Sequence, residues 1–331
     1  MLGRMNRWLC AGLLAAILLS TGGAAPLDVA ALEKDLRTIT RGFDGRVGAC
    51  VQDLKDTACI QGSQRFPMQS VMKLLVGVAA LDAVDRKVWR LEQHVTIERR
   101  DLSLYAQPLA QLVGPAGFRT TIGDLVRRAI IASDSAATDV LIARLGGPAA
   151  AQAALERIGI AGIRLDRDER HLQTEIVGLT WRPEYVDPAL LDKAIAAVPE
   201  AARARAYARY RQDIRDTATP RGMVAFLGAL SRGKLLSPSS TAFVLQAMNE
   251  CATFPDRLKA GAAPGWKVAH KTGTSGSWNG LTAATNDVGI LTSPDGSELS
   301  IAVFVADSRA SSAERAAIIA SISTAAIAHD R

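Results

Sequence analysis

The chain has 331 residues, 48% of them hydrophobic and 22% charged, and a net charge of +6. That allows one large domain or two small ones around a packed core, and it excludes a disordered or fibrous chain. Its basic residues are scattered, without a Lys/Arg run interleaved with aromatics, so nucleic acid is excluded as a partner and anionic small molecules fit better.

Arg4 and Arg7 precede an apolar run over residues 8–20, followed by the small residues Thr21-Gly22-Gly23-Ala24. This pattern reads as a signal peptide over residues 1–24, too short to span a bilayer. It predicts a periplasmic or secreted protein with no membrane anchor after cleavage, read here as a monomer. Cys50, Cys59 and Cys251 lie beyond it. Cys50 and Cys59 flank a turn; whether they pair depends on a register that the sequence leaves open.

Residues 46–61 read as two short strands around Lys55-Asp56-Thr57. Phe66-Pro67 breaks the pattern, and residues 70–84 keep helical apolar spacing, which puts Ser70 at a helix start. Helices are then predicted over 121–132, 136–145 (stopped by Gly146-Gly147), 188–211, 222–230 and 239–252. Strands follow over 268–272, 285–292 and 299–306, the last two joined by the turn Pro294-Asp295-Gly296, and an alanine-rich helix covers 311–328. The fold class is therefore α+β, an α/β sandwich. An antiparallel sheet with flanking helices is formed by both chain ends (25–69 and 255–331) and encloses an all-α domain over 70–254.

Three short motifs carry chemistry. In Ser70-Val71-Met72-Lys73, positions i and i+3 share a helix face, so the lysine can reach the serine hydroxyl, a weak nucleophile until a base takes its proton. Ser133-Asp134-Ser135 lies between two helices. Taken alone it reads as a helix cap, although a serine there could also relay a proton. Lys271-Thr272-Gly273-Thr274 sits on a strand, where a lysine and two hydroxyls suit a carboxylate and Gly273 lets a substrate approach the backbone.

In this order and spacing the three motifs resemble those of class A serine β-lactamases. The resemblance runs from about Arg46 onward. It takes in Arg65-Phe66-Pro67, Leu145-Gly146-Gly147 and Thr285-Asn286-Asp287, and an omega-like loop over about 164–220 opening with Arg164-Leu165-Asp166-Arg167-Asp168-Glu169. It implies Ser70 as nucleophile, Lys73 or Glu169 (through water) as its base, Ser133 as proton donor to the ring nitrogen, and Glu169 as base for deacylation. It further implies Tyr105, Ser135, Gln173, Arg257, Lys271, Thr272 and Thr274 as substrate contacts. The backbone N–H groups of Ser70 and Thr274 would form the oxyanion hole, and an Arg167–Asp216 pair would close the loop neck. The substrates would be β-lactams, with no metal or cofactor.

Two departures stand out. The second motif ends in Ser135 where the family has asparagine, which bears on substrate range. An extra segment over about 176–211 enlarges the loop, and a loop redirected by it would make Glu175 or Glu184 a rival to Glu169. A cell-wall DD-peptidase, which shares the three motifs but lacks the deacylating glutamate, and a catalytically reduced penicilloyl-binding homologue are the alternatives.

Overall fold

The computed structural model describes residues 27–330, so the expected signal peptide lies outside the described residues. Five strands form one antiparallel sheet: β1 (Arg46–Gln52), β2 (Thr57–Ile60), β3 (Lys267–Thr274), β4 (Thr285–Thr292) and β5 (Glu298–Ala306). Their spatial order is β2-β1-β5-β4-β3, so strands from distant parts of the chain meet at β1 and β5. The register sets Cys50 directly opposite Cys59, and a disulfide joins them.

The longer helices, in chain order, are α1 (Val29–Thr40), α2 (Met72–Asp85), α3 (Ile122–Ile131), α4 (Ser135–Leu145), α5 (Pro148–Arg157), α6 (Glu169–Ile176), α7 (Pro188–Ala197), α8 (Glu200–Gln212), α9 (Pro220–Ser231), α10 (Pro238–Asn249) and α11 (Ser312–Ala328). On one sheet face Val47, Ala49, Val51, Ile301 and Val303 share a core with Leu32 and Leu36 of α1 and Ile318, Ile319 and Ile322 of α11. Ser311 starts α11 with a reciprocal cap, accepting from the Glu314 N–H while the Glu314 carboxylate accepts from Ser311 N–H. On the opposite face Phe66, Val288, Ala302 and Phe304 join the core of the helical body. There α9 packs across β1, β4 and β5, and α2 is buried on all sides from Met72 to Ala83. A helix buried on all sides belongs in an interior, and this one runs through the core of the helical body.

The single helix predicted over 188–211 is two helices. The break falls at Val198-Pro199, where the proline ring pushes the preceding residue out of the helical region and Val198 takes φ −72°, ψ 122°.

Candidate active site

Ser70 lies in a 3₁₀ turn, Gln69–Val71, that feeds directly into α2. Gln69 carries a φ of +49°, a conformation a side chain adopts only when its surroundings enforce it. Asn286 of β4 supplies part of that enforcement, its Nδ2 donating to the carbonyls of Pro67 (2.8 Å) and Met68 (3.1 Å). Gly273 supplies the rest. A Cβ at Gly273 would stand 3.0 Å from Val71 N and 3.2 Å from Ser70 N, and closer still to the Met68 carbonyl oxygen. The missing side chain thus admits the protein's own serine turn, whereas the sequence pattern assigned that close approach to a substrate.

Lys73, one helical turn on from Ser70, is 1% exposed. Its Nζ donates to the Ser133 carbonyl (2.6 Å) and to Ser135 Oγ (3.0 Å) and faces Glu169 Oε1 at 3.2 Å. Two hydrogen bonds and one close carboxylate thus surround the Lys73 amine. Ser133 holds a φ of +56° between α3 and α4. Asp134 is indeed a cap, accepting from Ala137 N, and it also accepts from Leu109 N. The two serines flanking it point to the lysines, so capping and a site role share one tripeptide.

Lys271 is fully buried and donates to Ser133 Oγ (3.0 Å) and to the Thr272 carbonyl (2.9 Å). Ser133 therefore sits between two lysines, its carbonyl on one and its hydroxyl on the other. Burial pushes the Lys271 ammonium down to about 8, and the charge of Lys73 pushes the same way. Thr272 Oγ1 pairs with Thr253 Oγ1 at 2.6 Å. Arg257 is buried behind the end of β3, its guanidinium over the Phe254 ring at 4.0 Å. It donates to the Asn286 carbonyl (2.9 Å) and to Thr274 Oγ1 (2.7 Å), so it bears on the pocket through that hydroxyl. Behind the same strand His270 pairs with Asp287 at 2.9 Å beside the buried Cys251 thiol. Burial favours the neutral ring, but Asp287 outweighs it and holds His270 at about 9. The sequence reading did not anticipate this cluster, whose members come from three separate segments.

Glu169 opens α6 and is 2% exposed. Its Oε2 accepts from Gln173 Nε2 (3.2 Å), which also donates to Gln69 Oε1 (3.1 Å), and the Gln69 amide in turn donates to the Tyr210 hydroxyl. The backbone N–H of Glu169 donates to Asp139 Oδ1 (2.8 Å). Asp139, on α4, also accepts from Ser103 Oγ and pairs with Arg170. Burial, with the charges of Asp168 and Glu169 adding to it, lifts the Asp139 carboxyl to about 7. Asp139 escaped the sequence reading, although it lies four residues past Ser135, on the same face of α4.

At the loop neck Arg167 Nε meets Asp216 Oδ2 at 2.6 Å, and Asp216 Oδ1 also accepts the N–H groups of Asp166 and Arg167. Glu175 pairs with Arg167 (2.5 Å) and Arg215 (2.9 Å), and Glu184 pairs with Arg182 at the surface (3.7 Å). Of Glu169, Glu175 and Glu184, Glu169 is the one beside Lys73. Helix α8 leans across to the sheet side. The Tyr207 hydroxyl lies within hydrogen-bonding distance of the Gly276 (3.2 Å) and Leu281 (2.8 Å) carbonyls, Arg203 stacks on Trp278 at 4.1 Å, and Arg211 pairs with Asp307 at 2.5 Å. Tyr105, 56% exposed, feels the charges of Asp192 on α7 and Arg203 on α8, so the extra helices stand at its side of the cleft.

A mixed sheet-and-helix fold with a serine at a buried helix start, two buried lysines and a buried carboxylate defines a serine hydrolase acting on cyclic amides. The β-lactamase enzyme family model matches residues 31–329, and the chain belongs to that family. It is 31% identical over 311 residues to the extended-spectrum β-lactamase PER-1 of Pseudomonas aeruginosa, covering 92% of this chain and 88% of that one. It is 29% identical to β-lactamase VEB-1 of the same organism, over 87% of this chain and 86% of that one. Among solved structures, a β-lactamase from Chitinophaga pinensis superposes with a TM-score of 0.73 at 29% identity, over 89% of this chain and 97% of that one. An ancestral class A β-lactamase gives 0.71 at 29% identity, over 90% and 99%.

Proposed function

We propose that the protein is an exported class A β-lactamase that opens the lactam amide through an ester on Ser70. The observation that carries this reading is the enclosure of Lys73 by Ser133, Ser135 and Glu169, one helical turn from Ser70. The proton of Ser70 passes to Lys73 or, through a water, to Glu169, the two groups facing each other at 3.2 Å. Ser70 Oγ bonds to the lactam carbonyl carbon, and the backbone N–H groups of Ser70 and Thr274 take the developing oxyanion. The C–N bond breaks as Ser133, its hydroxyl held by Lys271, gives its proton to the ring nitrogen and regains one from the Lys73–Glu169 pair, which thereby sheds the proton taken from Ser70 and leaves Glu169 free to act again. Lys271, Thr272 and Thr274 receive the substrate carboxylate, with Arg257 orienting the Thr274 hydroxyl. Tyr105 lines the mouth, and Ser135 keeps Lys73 in place where the family's asparagine would also hold a substrate amide. Glu169 then deprotonates a water held with Gln173, and that water releases the acid and restores Ser70. The Arg167–Asp216 pair keeps the loop in place for this step. Export is supported by the residue pattern over 1–24.

The test separates the two half-reactions. Ser70→Ala should take up no penicillin covalently. Glu169→Ala should be acylated yet release product at least about a hundredfold more slowly, the usual contribution of a general base, with the acyl-enzyme visible by intact mass. Trapping by Glu175→Ala, with normal turnover by Glu169→Ala, would refute the assignment.

A further inference from the structure

Tyr210 is on α8, in the extra segment, and it is 5% exposed. Three hydrogen bonds run inward from it. Gln69 Nε2 donates to the Tyr210 hydroxyl oxygen, Gln173 Nε2 donates to Gln69 Oε1 at 3.1 Å, and the same Gln173 amide donates to Glu169 Oε2 at 3.2 Å. The polarity of this chain runs outward from its Glu169 end. Glu169 Oε2 accepts from Gln173, which so turns its NH₂ toward the carboxylate. Its second proton then goes to the Gln69 carbonyl, which leaves the Gln69 NH₂ facing the phenol. Burial holds the phenol proton on, well above the ordinary tyrosine range, so Tyr210 stays a neutral partner at working pH. Without that oxygen the Gln69 NH₂ loses its acceptor, and the amide is held by Gln173 alone. Turned over, it would set NH₂ against NH₂ at Gln173 and loosen the hold on Glu169.

From this chain we infer that Tyr210 is a positioning residue for deacylation, and that the extra segment serves to deliver its hydroxyl to Gln69. The inference rests on Glu169 being the deacylation base. It adds a residue from outside the motifs, acting two amides away from the carboxylate. The same helix is held to the sheet side by Tyr207, which provides a matched control at the next turn of α8.

The experiment measures acylation and deacylation separately, by stopped-flow burst kinetics and intact mass, on the full chain with a chromogenic cephalosporin. Tyr210→Phe should slow deacylation about tenfold, the worth of one such hydrogen bond, and leave acylation within about twofold, so that acyl-enzyme accumulates. Gln69→Met, which cuts the chain one link further in, should do the same and serves if Tyr210→Phe folds poorly. Tyr207→Phe should not accumulate acyl-enzyme. In a Glu169→Ala background Tyr210→Phe should add no further slowing. Parallel loss of both steps in Tyr210→Phe and Gln69→Met, unchanged deacylation in both, or further slowing without Glu169 would overturn the inference. Normal turnover by Glu169→Ala alone would instead overturn the base assignment beneath it.

Discussion

Replacing Gly273 by alanine adds a single methyl group at the closest approach of the sheet to the nucleophile. The added carbon would lie 3.0 Å from Val71 N and 3.2 Å from Ser70 N, and nearer still to the Met68 carbonyl. Comfortable heavy-atom contacts lie at about 3.5–4.0 Å, so strand and turn must part by roughly 0.5–1 Å. Neither side yields easily. Asn286 ties the turn to β4, and β3 is hydrogen-bonded along its length to β4. Overpacking of this kind costs about 1–3 kcal/mol, which a protein of this size survives. The catalytic loss should be larger. A displacement of about 1 Å between a reacting group and its stabilising partners is worth roughly a hundredfold, and here it separates the Ser70 N–H from the Thr274 N–H. Acylation should therefore fall about a hundredfold, measured as kcat/KM with a reporter cephalosporin, while thermal unfolding stays cooperative. Acylation within threefold of the parent would show that the strand does not set the geometry of the serine turn.

The Lys271 ammonium, held at about 8, is charged in the free enzyme below that pH, so kcat/KM for carboxylate-bearing substrates should fall as pH rises through about 8. Lys271→Arg should move that limb upward, and an unmoved limb would assign it to another group. The same depressed value makes this group favour the fold more, not less, from about 8 toward its ordinary 10.5, so circular dichroism should stay native across the range. The paired substitution Cys50→Ala with Cys59→Ala opens a bridge of sequence separation 9 and should cost about 2–3 kcal/mol in denaturant unfolding while kcat stays within twofold.

The chain's punctuation made most of the fold legible. Strand β4 begins and ends at the residues the pattern predicts, because threonines bound it and a turn follows at Ser293–Gly296. Pro199 was equally readable as a break, yet the alanine-rich residues on both sides masked it. Motif residues were legible because local spacing alone puts Ser70 and Lys73 on one helix face. Asp139, Tyr210 and the His270–Asp287 pair were not, since each acquires its partner only when separate segments pack together. Arg257 shows the reverse limit. Its residue type suits a substrate carboxylate, but two backbone carbonyls and the Thr274 hydroxyl claim its guanidinium once β3 and β4 are side by side.

The sheet order has a consequence for how the protein comes into being. Arg46 on β1 bonds to Asp307, 261 residues away, and every rung between β1 and β5 is comparably remote. A nascent chain can close the β1–β2 hairpin early and start its helices, but it cannot zip β1 to β5 until nearly all of that intervening stretch has been synthesised. Assembly of the sheet is therefore a late, high-contact-order event, and slow folding follows from the topology itself. Until then β1 waits with one edge unpaired, and the bridge between Cys50 and Cys59 can already secure the other.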